Sequence, residues 1–371
     1  MHFSPEEQLF VTAIDRRIIE NMSCGKREDF VTVRALNKTM VTMEDIACQL
    51  GLSRTTIWRV VNNKGSVSPK TRKRVEGFLE AHGYTKNLVA ASLRKNLTNT
   101  IGAIFSDIEN PFYAEALKGI ERVCKDHGYN LIFCNTHENY KEEREAIQLL
   151  LEKRVDGLIL IPVEGSEKNI PILSKLSIPV VFLARYLKGY RGSRVVFDDV
   201  NAGYIATSYL ISRGHKVIAH IAGSPNTSCT NDRLEGYKKA LQDHGIEFDP
   251  GLVRYTNSMM NSGKDATLKL LRERPDVTAI FGYSDFVAFG VIEALQELGK
   301  KIPDDIAIIG CDDTFVASLI GLTTIGFPKE NMGILAARIL LRQIQNLREG
   351  TGSNDIKVRI SKPMLVKRRT A

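Results

Sequence analysis

The chain has no long run of apolar residues. Its apolar stretches, such as residues 155–163 and 306–311, are far shorter than the roughly 20 residues that a membrane-spanning helix needs. The N-terminal segment also lacks the uninterrupted apolar core of a secretion signal. We therefore expect a cytoplasmic protein that has no membrane partner.

The sequence also lacks the residue spacings that carry most catalysis and metal binding. Six cysteines are scattered without a C-x-x-C pair, and seven histidines show no ligand spacing. There is no G-x-S-x-G elbow, no H-E-x-x-H helix and no G-x-G-x-x-G turn. We predict no catalytic residues, no metal site and no cofactor.

One short segment does carry a concentrated positive charge. Residues 40–97 hold 10 Lys and Arg against 4 Asp and Glu, whereas residues 98–371 hold 35 against 33. Most of the formal net charge of +8 therefore belongs to this segment. Such a segment suits a module that contacts phosphates, because each neutralised phosphate releases condensed counterions. A solvated basic face is the alternative on charge alone.

Residues 42–83 carry the start and stop signals of three short helices. Each predicted helix follows a Ser or Thr that can cap it, and the first and third end at a glycine. The signals are Thr42 with Asp45, Gly51, Ser53, Ser68 with Pro69, and Gly83. Three short helices with a glycine turn predict a helix-turn-helix domain.

The predicted second helix, residues 54–61, has an exposed face suited to reading DNA. In the major groove, arginine can hold guanine and threonine can touch thymine, and side chains near the N-terminus of the helix reach the bases. Arg54 and Thr55 are placed for that role, and Arg59 can reach a base or a phosphate. The residues suited to backbone contacts are Ser53, Thr56 and Asn62. The expected partner is double-stranded DNA.

This head resembles that of the LacI/GalR family of bacterial regulators. The resemblance is carried by VTMEDIA (41–47), GLSRTTIWRVVN (51–62), VSPKTR (67–72) and HGY (82–84). It continues into NLVAASLR (87–94), which resembles the hinge helix of the family.

The resemblance implies a second DNA contact, through the hinge. In the family, paired hinge helices of a dimer enter the minor groove, and a leucine wedges into a base step and kinks the duplex. Leu93 is the matching position, and Asn87 and Arg94 belong to the same predicted contact. A core leucine is the alternative. Lys86 stands where the family usually has proline, and it is suited to contact a phosphate instead.

Beyond residue 98, apolar strands alternate with helix-length segments. Such strands predict parallel sheets covered on both faces, and the length fits two doubly wound halves. The predicted strands are 101–106, 130–135, 157–162, 180–183, 217–222, 279–283 and 306–311. The resemblance covers this part too and implies an α/β body with two lobes, like the type I periplasmic sugar-binding proteins. A TIM barrel is the alternative fold.

We divide the chain accordingly into four parts. Residues 1–39 are an N-terminal extension with no assigned role, residues 40–85 the helix-turn-helix domain, and residues 86–98 the hinge helix and linker. Residues 99–371 form the effector-binding and dimerisation domain. Its first lobe is predicted at 101–196 and 327–350, and its second at 197–326 and 351–371.

Ligands of doubly wound sheets bind beyond the carboxyl ends of the strands, which in a two-lobed body is the cleft between the lobes. The candidate effector-binding residues are Asp107, Asn110, Phe112, Tyr113, Arg185, Arg233, Ser284, Asp285 and Asp312. Arginine and carboxylate groups facing an aromatic floor suit the hydroxyl groups and C–H faces of a sugar or a sugar acid.

Several of these assignments depend on the resemblance. Asn110-Pro111-Phe112 matches a family motif whose aromatic residue lines the effector pocket, and Arg233 matches the arginine that holds the effector. On the residues alone, Phe112 could be a core side chain.

Two further assignments have open alternatives. Asp312 or its neighbour Asp313 could cap the following helix. Arg185 lies where the family often has an aspartate, which favours an anionic ligand, unless Arg185 faces solvent.

Together these patterns predict a repressor that binds a pseudo-palindromic operator as a homodimer. A sugar, sugar acid or related effector in the cleft would control its operator affinity, and the sign of that coupling stays open. The alternative is a small-molecule-binding protein or an enzyme that carries a regulatory DNA-binding head.

Overall fold

The computed structural model describes residues 41–84, 97–351 and 356–371. The chain divides into two compact units, one N-terminal to Val89 and one that runs from Val89 to Ala371. In the described residues, no helix combines the length and the apolarity needed to cross a membrane.

The N-terminal unit contains three helices, as predicted. They are α1 (Met43–Leu50), α2 (Arg54–Val61) and α3 (Pro69–Ala81). Thr42 and Asp45 form the expected capping box, and Gly51 ends α1 in the left-handed conformation at φ 60°. Ser53 caps α2 through its hydroxyl group. Apolar side chains from all three helices, including Ile46, Ile57 and Val75, form the core.

The C-terminal unit contains two six-stranded sheets with helices between the strands. The first sheet has the order β11-β5-β4-β3-β1-β2 and the second β12-β10-β9-β8-β6-β7. The strands are β1 (Thr100–Phe105), β2 (Asn130–Asn135), β3 (Gly157–Leu160), β4 (Val180–Ala184), β5 (Ser193–Phe197), β6 (Ile218–Ala222), β7 (Val253–Tyr255), β8 (Ala279–Gly282), β9 (Ala307–Asp312), β10 (Thr323–Gly326), β11 (Val358–Ser361) and β12 (Met364–Val366). Two separate sheets confirm the two-lobed fold, and the TIM barrel is wrong.

The helices lie between these strands in the order expected of doubly wound sheets. They are α4 (Pro111–Asp126), α5 (Tyr140–Glu152), α6 (Ile170–Leu173), α7 (Asp199–Ser212), α8 (Ser228–Asp243), α9 (Met260–Glu273), α10 (Asp285–Glu297), α11 (Phe315–Ile320) and α12 (Lys329–Arg348). The described chain passes between the lobes at three places: after β5, after β10 and between β11 and β12.

One lobe assignment is wrong. The whole C-terminal segment was expected in the second lobe, but Val358–Ser361 pairs in parallel with β5 in the first sheet. Only the following strand, Met364–Val366, joins the second sheet, antiparallel to β10. The last stretch of chain therefore links the two lobes, because each lobe offers it a free sheet edge.

Glycines bring pairs of helices in each lobe into close contact. A methyl group at Gly119 of α4 would overlap the Glu330 carbonyl oxygen of α12, and one at Gly333 would overlap the Ala116 carbonyl oxygen. Gly203 of α7 and Gly236 of α8 lie equally close to carbonyl oxygens of the facing helix. In each lobe this pair of helices therefore packs backbone against backbone, with no room for an added carbon at these glycines.

His220 is a buried titratable side chain in the core of the second lobe. Its ring stacks on Phe281, with 4.6 Å between the ring centroids, and Nδ1 lies 3.0 Å from the Phe281 carbonyl oxygen. Burial lowers the pKa of the imidazole from 6.5 to about 4. His220 is therefore neutral in the folded protein near pH 7.

We expect His220 to make the folded state less stable as the pH falls. Between pH 6.5 and about 4, the unfolded chain binds a proton on this histidine and the folded chain does not. The free energy of unfolding should therefore drop by up to about 3 kcal/mol over that range. Urea denaturation at a series of pH values, compared between wild type and His220→Phe, isolates this contribution.

The comparison is needed because buried carboxyl groups titrate in the opposite sense. Burial raises the pKa of Asp232 to about 6 and also raises that of Asp199, so these groups favour the folded state as the pH falls. Arg233 is the charged neighbour that lowers the pKa of His220, and it is present in both wild type and His220→Phe. Parallel stability curves for wild type and His220→Phe would contradict the prediction.

Candidate functional site

A cleft lies between the lobes at the carboxyl ends of β1, β4, β8 and β9. The space within it, including its open mouth, is about 460 Å³. Its walls come from both lobes, so a ligand here would contact both at once.

Eight of the nine predicted effector-binding residues line this cleft. They are Asp107, Asn110, Phe112, Tyr113, Arg185, Arg233, Ser284 and Asp312. Phe112 contacts Phe197 edge to face, 5.7 Å between centroids, so it belongs to both the core and the cleft wall. Thr314 caps α11, so neither Asp312 nor Asp313 is that cap.

Asp285 is the exception, and its assignment is wrong. Its carboxylate accepts hydrogen bonds from the Thr314 amide at 2.7 Å, from the Thr314 hydroxyl at 3.1 Å and from the Thr324 hydroxyl. These bonds join the loop after β9 and strand β10 to the first residue of α10. Ser284, one residue earlier, lines the cleft and also caps α10.

Arg233 organises the second lobe's side of the cleft. It is 3% exposed, and its Nε donates to Asp199 at 2.8 Å. One terminal nitrogen donates to the Tyr283 carbonyl oxygen, and the other lies 3.6 Å from the Asp312 carboxylate. The guanidinium also lies over the Tyr283 ring, 4.8 Å from its centroid. A buried cation therefore holds two carboxylates and one aromatic wall in place.

Arg185 is paired across the first lobe. Its two terminal nitrogens each donate to one carboxylate oxygen of Glu138, both at 2.8 Å, and the side chain is buried. Arg185 therefore does not face solvent. Because Glu138 neutralises it, the reason for expecting an anionic ligand is removed.

The charged groups that line the cleft carry no excess of positive charge. The lining holds the cations Arg185 and Arg233 and the carboxylates Asp107, Glu138 and Asp312. Asp107 has no cation within 4 Å among the described residues. Burial raises the pKa of the Asp312 carboxyl group, and Arg233 opposes that rise. Such a set can accept and donate hydrogen bonds but offers no unpaired cation to an anion.

Backbone strain concentrates at the same place. Of the ten non-glycine residues with positive φ in the described chain, four line the cleft, and two line a wider pocket that shares Asp107, Glu138 and Met259 with it. These six residues are His137, Glu138, Ala184, Asn226, Ser258 and Asp312. Strained residues persist where surrounding structure enforces them, and they cluster at ligand sites.

Some lining residues were missed by the sequence analysis. They are Glu138, Ala184, Phe197, Cys229, Ser258, Met259 and Tyr283. Cys229 lies with its sulfur 2.7 Å from the Tyr283 hydroxyl, so both belong to one polar contact on the cleft floor. Ala184 directly follows the predicted strand 180–183, and Tyr283 is the last residue of the predicted strand 279–283. That position was the signal that could have identified them.

The predicted reading face of α2 is exposed. Arg54, Thr55, Trp58 and Arg59 are all open to solvent, whereas Ile57 on the opposite side is buried. Arg54 makes a 3.3 Å ion pair with Glu44, and its side chain is 61% exposed. Such an exposed pair is weak, so Arg54 can exchange it for another partner.

The backbone-contact candidates are partly engaged within the head. The Ser53 and Thr56 hydroxyls lie 2.8 Å apart, and the Asn62 side-chain amide donates to the Trp58 carbonyl oxygen at 2.9 Å. Asn87, Leu93 and Arg94, together with Lys86, lie outside the described residues.

Comparison with known families agrees with both parts of this architecture. Residues 98–364 match the family described as periplasmic binding proteins and sugar binding domain of the LacI family. Residues 42–87 match the bacterial regulatory proteins of the lacI family.

Similar proteins carry the names of regulators. The chain is 36% identical to the HTH-type transcriptional regulator DegA of Bacillus subtilis (strain 168) over 297 residues, 79% of this chain and 88% of that protein. It is 34% identical to the ribose operon repressor of Escherichia coli (strain K12) over 308 residues, 82% and 93% of the two chains.

A solved structure shows the same fold. The lac repressor dimer bound to operator and the anti-inducer ONPF superimposes with a TM-score of 0.76 at 27% identity, covering 89% of this chain and 98% of that one. The protein belongs to the LacI family: it is a DNA-binding transcriptional repressor with a sugar-binding-type domain. The expectation that it is not an enzyme is confirmed by these relatives, which are named as regulators.

Proposed function

We propose that a small, neutral, polyhydroxylated molecule of the carbohydrate type binds in the cleft and controls operator affinity. The observation that carries this proposal is the internal pairing of both cleft arginines, which leaves carboxylates and hydroxyls to face the ligand. The cleft carboxylates, including Asp312 with its raised pKa, form strong hydrogen bonds to sugar hydroxyls. Phe112 offers an apolar face to the C–H groups of a sugar.

The head would read a pseudo-palindromic operator in double-stranded DNA. Arg54 and Thr55 would contact bases, Arg59 a base or phosphate, and Ser53, Thr56 and Asn62 the DNA backbone. From the sequence alone, Asn87, Leu93 and Arg94 remain candidates for the minor groove. Operator binding would place the protein with the chromosome in the cytoplasm.

A homodimer fits this proposal. Phe315 and Leu319, four residues apart on one face of α11, are 62% and 75% exposed, and a contiguous exposed apolar patch can mark an interface. The lac repressor structure is a dimer bound to its operator. A symmetric dimer would present two heads to the two half-sites of a palindrome.

Ligand-dependent thermal unfolding tests the proposal. We would screen neutral sugars, sugar acids and nucleobases against the full chain, and then titrate each ligand that binds into the protein on labelled operator selected from random DNA. A neutral sugar should raise the melting temperature and change operator affinity. The operator should change the affinity for the sugar by the same factor. Stabilisation by sugar acids or nucleobases alone would contradict the neutral-sugar proposal while leaving operator binding intact.

A further inference from the structure

A second groove lies on the first lobe, between α12 and the edge strand β11. It is separate from the cleft, with which it shares no lining residue, and encloses about 680 Å³ including its mouth. Its cationic lining is Arg338, Arg342, Lys357 and Arg359, and its apolar wall is Leu335 and Ile339.

The two groove arginines of α12, Arg338 and Arg342, differ from the other charged residues of that helix. Lys329 pairs with Glu115, Glu330 with Arg122 and Arg348 with Asp156. Within the described parts of the chain, Arg338 and Arg342 have no carboxylate within 4 Å, and none lines the groove.

This arrangement costs the isolated helix a little stability. Arg338 and Arg342 are four residues apart, so they lie one turn apart on the same exposed face and repel each other. Residues 98–371 are nearly neutral overall, with 35 basic against 33 acidic side chains. The groove is therefore a local concentration of positive charge rather than part of a generally basic surface.

The chemistry of the groove favours a protein as its occupant. Arginines beside an apolar wall are typical of protein interfaces, where Arg is enriched and the centre is apolar. The guanidinium fork matches carboxylates in two-point contacts. We propose that this groove docks an acidic face of a second protein, whose carboxylates meet Arg338, Arg342 and Arg359 around an apolar side chain set against Leu335 and Ile339.

The position of the groove gives such a partner a route to the cleft. Lys329, at the start of α12, donates to the carbonyl oxygens of Asp312 at 2.7 Å and Asp313 at 2.6 Å. A partner bound along α12 therefore holds the helix whose first residue contacts the cleft wall. The docked protein would be a second regulatory ligand, bound at a site separate from that of the small effector.

The test begins with photocrosslinking in cells. The full chain carries p-benzoylphenylalanine at Leu335, in the groove, or at Leu149, an exposed leucine of α5 used as the control. We expect a protein adduct at Leu335 and not at Leu149. The captured protein is then purified, and its binding to the full chain is measured by fluorescence anisotropy.

Charge reversal decides whether the groove is the docking surface. Arg338→Glu with Arg342→Glu should weaken binding of the purified partner about 10- to 100-fold. Lys141→Glu with Arg144→Glu, an equal charge change on exposed residues of α5, should leave it unchanged. Thermal unfolding of both variants separates loss of the fold from loss of docking, and Arg338→Gln with Arg342→Gln replaces a variant that does not fold.

Several results would overturn the proposal. They are no adduct at Leu335, an adduct to DNA, an adduct to a second copy of this chain, and a purified partner that binds both double variants alike. None of these would affect operator binding or the effector screen, so the two proposals fail separately.

Discussion

Replacing Arg233 with methionine is expected to lower the free energy of unfolding of the C-terminal unit by about 3–5 kcal/mol. The buried guanidinium is the ion-pair partner of Asp199 and lies 3.6 Å from Asp312. Methionine fills similar space but leaves both buried carboxylates without their guanidinium partner. Urea denaturation of wild type and Arg233→Met at pH 7 measures the difference.

An exposed ion pair supplies the control. Arg122 lies 2.7 Å from Glu330 and its side chain is 54% exposed, so Arg122→Met should cost less than about 1 kcal/mol. The loss in Arg233→Met should also shrink toward pH 5, because the orphaned carboxyl groups can then bind protons. Equal losses in the two variants would show that the Arg233 cluster does not hold the lobe together.

Arg54→Ala is expected to raise the dissociation constant of the selected operator by about 5- to 150-fold for each half-site that the arginine reads. Stability should hardly change, because Arg54 is exposed and its ion pair with Glu44 is weak. Fluorescence anisotropy on the operator, and on the same operator with single base changes, measures both affinity and base preference. Loss of discrimination at defined base pairs is the specific signature.

Lys73→Ala is the matched control within the head. Lys73 is exposed on α3, away from the reading face, and can at most contribute a phosphate contact. Its removal should weaken binding evenly across sequences and reduce the salt dependence. An Arg54→Ala protein that loses affinity evenly, as Lys73→Ala should, would mean that Arg54 contacts only the backbone.

The local signals of the head predicted its structure well. A Ser or Thr before each helix and a glycine after the first act within a few residues, so no tertiary information was needed. The apolar strands β1 to β4, β6, β8 and β9 were also predicted, β2 with its observed bounds and the others with ends that differ by one or two residues. Their buried faces leave a near-continuous apolar run in the sequence.

The missed strands have a physical reason. β5 contains Ser193 and Arg194, and β10 begins with two threonines, Thr323 and Thr324. The strands β7, β11 and β12 lie at sheet edges and are partly exposed. Such strands need no apolar run, and their pairing is set by distant parts of the chain.

The cleft residues show the same difference between local sequence signals and contacts set by distant parts of the chain. Residues directly after strands could be assigned because the carboxyl ends of parallel strands converge. Glu138 could not, since its pairing with Arg185 joins residues 47 positions apart. Asp285 failed for the converse reason: it follows a strand, but its carboxylate turns inward to Thr314 and Thr324.

The glycine contacts between helices bear on how this protein can acquire new ligands. The backbones of α4 and α12, and of α7 and α8, are in direct contact, which favours movement of each lobe as a unit with bending at the three passages between the lobes. Substitutions at strand ends can then alter ligand preference without changing how the two lobes move relative to each other. Ligand specificity can therefore change in evolution while the lobe movement that alters operator affinity is kept.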